Sequence, residues 1–160
     1  MFLRTENITE KKLLGIKIRT SLTENKTIEL WRKFMSRRKE IKNNLNSELI
    51  SMQVFDDVSY FEKFDPKNKF DKWAVVEVKD LNSVPDQIET FILNEGLYAV
   101  FLHKGHPSTG PKTFEYIFGT WLPNSKYILD HRPHFGVMGD KYNNDDPASE
   151  EELWVPIRLK

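Results

Sequence analysis

The sequence has no cysteine. That absence excludes disulfides, thiolate metal sites and a cysteine nucleophile, and it is compatible with a reducing compartment. A surplus of charge is missing too. The 24 Lys and Arg balance 24 Asp and Glu, so nothing favours nucleic acid or an anionic membrane, both of which call for a basic surface. No apolar run approaches the roughly 20 residues of a membrane span. The start, "MFLRTENITEKK", carries charge where a signal peptide needs an apolar stretch. A soluble, cytoplasmic protein is expected, with 160 residues to build a core. Glycine is scarce, at seven residues. Gly136, inside the strand-like run "RPHFGVMGDKY", therefore stands out, because a glycine within a strand marks a bulge or a close approach.

What is present falls into two halves of one pattern, about 11–80 and about 96–160, within a single domain spanning 1–160. Each half reads strand, helix, strand, strand. The first runs through "KKLLGIKIRTSL", "NKTIELWRKFMSRRKEIKN", "ELISMQVFD" and "KFDKWAVVEVKD". The second runs through "GLYAVFLHKG", "GPKTFEYIFGTWLP", "YILDHRPHFGVMGDKY" and "EEELWVPIRLK". Alternation defines the strands. Ala74, Val76 and Val78 share one face, and Trp73, Val75 and Glu77 the other. Leu153, Val155, Ile157 and Leu159 oppose Trp154 and Arg158. Pro156 suggests an edge strand. Helical spacing links Ile28, Trp31, Phe34 and Met35, and again Phe114, Ile117, Phe118, Trp121 and Leu122. Pro111 suits the first turn of the second helix, and Pro123 ends it. The connection Asp80 to Gly96 contains a segment, Gln87 to Leu93, that reads as a short helix or as extended chain. The fold class is α+β, with two pseudo-symmetric units, an antiparallel sheet and a central ligand cleft.

Several local patterns are weaker. His103 with His106, and His131 with His134, are three apart. Residues at that spacing in a strand point to opposite faces, so neither a metal nor another cofactor is expected. "KGHPSTGPK" reads as a strand-to-helix turn, since it lacks P-loop spacing. "SRRKEIK" reads as a solvated basic face, and "NNDDPASEEE" as an acidic loop without calcium-loop spacing.

"GLYAVFLHKG", "FEYIFGTWLPNSKYILDHRPHF" and "EEELWVPI" together resemble the GyrI-like (gyrase-inhibitor-like) small-molecule-binding family, found in the effector-binding domains of AraC-type and MerR-type transcription regulators. "WLPNSKY" and "LWVPI" are the most specific pieces. The first half fits more loosely, through "LWRKFMSRRKEI" and "KWAVVEV". The resemblance implies a cleft for small, often cationic, aromatic molecules, with aromatic walls and a buried glutamate in a "P-x-F-E" setting. Here that run is Pro133, His134, Phe135, Gly136, so Gly136 stands where the acid is expected. A buried carboxylate attracts a cation strongly, and Glu77 is a candidate substitute. The expected ligand-binding set is Phe55, Trp73, Glu77, Tyr98, Phe101, Trp121, His134, Phe135, Gly136, Tyr142 and Trp154. Trp121 also reads as core. The expected partner is a small aromatic ligand, held by a standalone binding module with no direct contact to nucleic acid or membrane. Two alternatives accompany that reading. One is a hydrolase of electrophilic small molecules using the same cleft. The other is a protein-interaction role of gyrase-inhibitor type, with a regulator or gyrase as partner.

Overall fold

In the computed structural model, residues 1–106, 109–139 and 147–160 are described. Among these residues, nine strands and three short α-helices follow the order β1 (Phe2–Ile8), β2 (Lys11–Thr20), α1 (Thr27–Arg37), β3 (Leu49–Val54), α2 (Ser59–Glu62), β4 (Phe70–Val78), β5 (Glu89–Leu93), β6 (Gly96–Lys104), α3 (Gly110–Tyr116), β7 (Tyr127–Leu129), β8 (His134–Met138) and β9 (Glu150–Leu159). A π-helical stretch, Ile117–Trp121, continues α3. Eight strands form an antiparallel sheet in the order β1-β6-β9-β8-β3-β4-β2-β5, and β7 pairs with the end of β9.

The expected repeat is visible in that order. Units β2-α1-β3-β4 and β6-α3-β8-β9 lie side by side, joined where β3 meets β8. Each edge strand crosses over. β1 pairs with β6 of the second unit, and β5, which precedes β6, pairs with β2 of the first. Only two residues link β1 to β2, and only two link β5 to β6. Such links reach about 10–11 Å. The open sheet must therefore curl until its two ends approach one another.

The curl creates an inner and an outer face, and period-2 alternation assigns residues to them. On the outer face, α1 sits over Leu14, Ile16, Ala74, Val76 and Val78. The α3 and π-helical run sits over Ala99, Phe101, Leu153, Val155 and Ile157. Both aliphatic stripes read from the sequence are thus the floors beneath helices. The buried side of α1 is Leu30 and Phe34. Phe34 is buried and Trp31 packs beside it as the spacing predicts, but Ile28 is 74% exposed and Met35 46%, so half of the apolar set faces away from the core. Burying Leu30 and Phe34 stabilises the fold by roughly 1.5–3 kcal/mol each.

Three further differences have simple causes. "FLRTENI" is an edge strand, largely exposed, so no alternation betrays it. Glu89–Leu93 is extended, which settles the connection between units. Pro156 is not on an edge strand, because β9 has β6 on one side and β8 and β7 on the other. Its missing donor falls where β9 changes partners, between Trp154 opposite Phe135 and Ile157 opposite Leu129. The Pro156 carbonyl there accepts the Asp130 N–H at 3.0 Å.

Candidate ligand groove

The two units meet at β3 and β8, and the registers place Ala74, Ser51 and Gly136 directly opposite one another across β4, β3 and β8. These are three of the smallest residue types, all buried, so side chains stand low along this row, a trough by residue size that runs from beneath α1, which covers Ala74, toward the α3 run. On the next row, Lys72, Gln53 and His134 are opposite one another. Gln53 Nε2 donates to Ser51 Oγ at 3.3 Å.

The missing side chain at Gly136 leaves room for a neighbour. A Cβ there would lie 3.0 Å from Oε2 of Glu151 and 3.2 Å from its carboxyl carbon. The acid absent from position 136 is thus replaced in space by one reaching across from β9. Glu151 is in phase with Leu153 and Val155, so the alternation of β9 aims it at the helix side. Lys72, in phase with Ala74 and Val76, reaches the same side from β4. Burial pushes the Glu151 carboxyl up to about 7, with the Lys72 charge opposing. Burial likewise lowers the Lys72 amine, and Glu151 opposes that shift. Each acts on the other's charge, yet neither side chain has a hydrogen bond or ion pair among the described residues.

One end of the trough is closed by aromatic rings. Phe61, from the short α2, stacks on His134 with ring centroids 5.0 Å apart and on Phe118 at 4.9 Å. Phe55 meets His134 edge-on at 5.1 Å and Tyr60 at 4.5 Å. Phe61 belongs to the first unit, His134 and Phe118 to the second, so this stack bridges the halves. Phe118 lies in the π-helical stretch, a feature found often at functional sites. His134 is 7% exposed, and burial holds its pKa down at about 3, helped by the charges of His131 and Arg132. It is therefore a neutral stacking ring at ordinary pH.

Phe55, His134 and Gly136 come together in this groove. Trp73, Tyr98, Phe135 and Trp154 instead belong to one cluster on the inner face, where the curled sheet packs against itself. Phe135 stacks on Trp154 at 5.2 Å. The Tyr98 hydroxyl donates to the Pro133 carbonyl at 2.8 Å, and the Arg132 guanidinium lies over its ring at 4.7 Å. Burial pushes this phenol up to about 12. These rings are at most 9% exposed, so the indole-walled hollow is a filled core. Glu77 shares that inner side and pairs with Lys11 at 3.5 Å, which removes it as a substitute acid over Gly136. Phe101 and Trp121 pack under α3, edge to face at 5.0 Å. Tyr142 lies outside the described residues. His103 is committed to the β6-to-α3 turn, with Nδ1 2.7 Å from Thr113 Oγ1.

The profile of the GyrI-like small molecule binding domain matches residues 1–158. The chain belongs to that family. Among solved structures, it is similar to SAV2435 bound to tetraphenylphosphonium, with TM-score 0.75 and 14% identity, covering 99% of this chain and 94% of that one. It is also similar to the EcmrR C-terminal domain, with TM-score 0.76 and 13% identity over 100% and 99% of the two chains. A hydrolase encoded by lin2189 from Listeria innocua gives TM-score 0.60 and 12% identity over 97% and 91%. At these identities the likeness establishes the fold. No curated protein matches the chain in sequence. This GyrI-like chain is thus a small-molecule-binding domain by family, and its fold is the mixed, antiparallel one expected.

Sequence reasoning missed Lys72, Glu151, Ser51, Phe61 and Phe118 as site residues. A signal for the first two was present. Each is ionisable yet in phase with a buried aliphatic stripe, and a charge on the core side of a strand is out of place unless something meets it.

Proposed function

We propose that this GyrI-like domain binds a flat aromatic molecule on the outer face of its sheet, in the trough between α1 and the α3 run. The ligand's ring takes over the stacking place that Phe61 holds against His134 and Phe118. The observation that carries this reading is the Glu151 carboxylate lying over Gly136. It is an incompletely solvated acid without a partner among the described residues, beside a bridging aromatic stack. Stacked rings contribute about 0.5–1.5 kcal/mol beyond their area burial, and the small Ser51 and Gly136 let a ring approach the backbone. The tetraphenylphosphonium bound to SAV2435 supports an aromatic ligand here.

The test is a titration with the neutral fluorescent probe N-phenyl-1-naphthylamine. Saturable one-to-one binding is expected in the wild type. Ser51→Phe, which fills the trough floor, is expected to weaken it at least tenfold while far-UV circular dichroism stays native. Undiminished binding in folded Ser51→Phe, or no saturable binding at all, contradicts the proposal.

A second reading, hydrolysis of an electrophilic small molecule, is favoured by one observation. The Glu151 carboxyl lies over Gly136 without a side-chain partner among the described residues, and burial raises its pKa to about 7, which suits general acid–base work near neutral pH. Turnover of p-nitrophenyl acetate that is lost in Glu151→Gln is its expected signature. Turnover equal to that of Glu151→Gln rules it out.

A further inference from the structure

We infer that the groove selects amphoteric aromatic molecules, with a cationic group placed at Glu151 and an anionic or strongly accepting group placed at Lys72. The inference rests on the binding site proposed above and specifies the charge class of its ligand. It starts from an arrangement that a simple cation site does not need. Two opposite charges rise from different units of the fold, Lys72 on β4 and Glu151 on β9. Both are partly buried and both lie on the helix side of the sheet. The small floor of Ser51 and Gly136 separates them in the sheet. They are close enough to act on each other's charge, but they form no ion pair.

Charges withdrawn from water are normally paired with each other, because an unpaired one costs several kcal/mol. Here each lacks a partner among the described residues. A pure cation would satisfy Glu151 and add a like charge near Lys72. A pure anion would do the reverse. A molecule carrying both groups across one aromatic ring satisfies both, and its ring meets His134 and Phe118 in the place Phe61 holds. The same arrangement gives specificity by rejection, since each singly charged analogue leaves one buried charge unmatched.

Four probes of similar shape test this by displacing N-phenyl-1-naphthylamine: 4-(aminomethyl)benzoate, 4-methylbenzylamine, 4-methylbenzoate and 4-methylbenzyl alcohol. The zwitterion is expected to displace the dye at concentrations at least tenfold below either singly charged compound. Glu151→Gln should erase its advantage over 4-methylbenzoate, and Lys72→Met its advantage over 4-methylbenzylamine. Lys72→Gln and Glu151→Ala serve where either first variant loses its circular-dichroism signature. A zwitterion no better than the better singly charged probe overturns the inference while leaving the aromatic site standing. So does an advantage that persists in both folded variants. If the dye itself shows no saturable binding, the site falls, and this inference falls with it.

Discussion

Replacing Glu151 by Gln should stabilise the protein at pH 8 and leave it unchanged at pH 4. The carboxyl lies against Gly136, where burial raises its pKa from 4.5 to about 7. An acid whose folded pKa exceeds its unfolded value binds more protons folded than unfolded between the two. Stability therefore falls as pH climbs from about 4.5 to about 7, and the loss is complete above that. At about 1.36 kcal/mol per pKa unit, that gap corresponds to at most about 3.4 kcal/mol. Lys72's attraction is already contained in that shift, and partial exposure, which screens the charge, leaves about 1–2 kcal/mol. With a urea m-value of about 2 kcal/mol/M for a chain of this size, the midpoint of Glu151→Gln should lie about 0.5–1 M above wild type at pH 8. At pH 4 the two should coincide, because both side chains are then neutral. His134 titrates in part of the same window with the opposite sign. Its pKa is lowered to about 3, so it removes stability as pH falls below about 6.5. Comparing wild type with variant at each pH cancels that contribution. A midpoint difference that is the same at pH 4 and pH 8 would refute the placement of Glu151.

Phe34, fully buried on the sheet side of α1, should cost about 3–5 kcal/mol when changed to Ala, read by chemical denaturation. The His134 ring should stay neutral down to about pH 4, given a pKa near 3; an imidazole NMR titration with a midpoint near 6.5 would show that it is solvated. Gly136→Glu puts a second carboxyl beside Glu151. Two such charges about 4 Å apart repel by about 4 kcal/mol at an effective dielectric of 20. The variant should therefore lose more stability than wild type between pH 5 and pH 8, and Glu151→Gln should rescue it.

The central strands were legible in the sequence because "WAVVEV" and "LWVPIRL" are rich in β-branched and aromatic residues, although both faces of each are buried. Pro111 and Pro123 likewise bracketed the helical run that follows β6. β1 was hidden, and β5 stood open between helix and extended chain, for a physical reason. Both are edge strands whose register is set by distant partners in the other unit, so their own residues carry little pattern. Phe61 was hidden because a single turn of helix such as α2 has no period to detect.

The site was legible only in part. Gly136 was singled out for its missing side chain, and the structure shows a carboxylate in that space. Alternation tells which residues share a face, but not which face is filled. The tryptophans suggested a cleft on the side where the curled sheet in fact packs against itself. That curl follows from two-residue links between strands distant in the sheet, a property of topology and not of any local stretch. Glu151 was overlooked inside an acidic run. Its phase with Leu153 and Val155 was the cue.

The claim that matters most is that ligand enters the outer, helix-side trough and not the inner core. Chemical-shift mapping of the isotope-labelled protein with N-phenyl-1-naphthylamine tests it directly. The largest changes are expected at the Ser51 and Gly136 amides and the rings of Phe61, Phe118 and His134, with the indole signals of Trp73 and Trp154 nearly still. Large shifts of those two indoles, with Ser51 and Gly136 unmoved, would contradict the account.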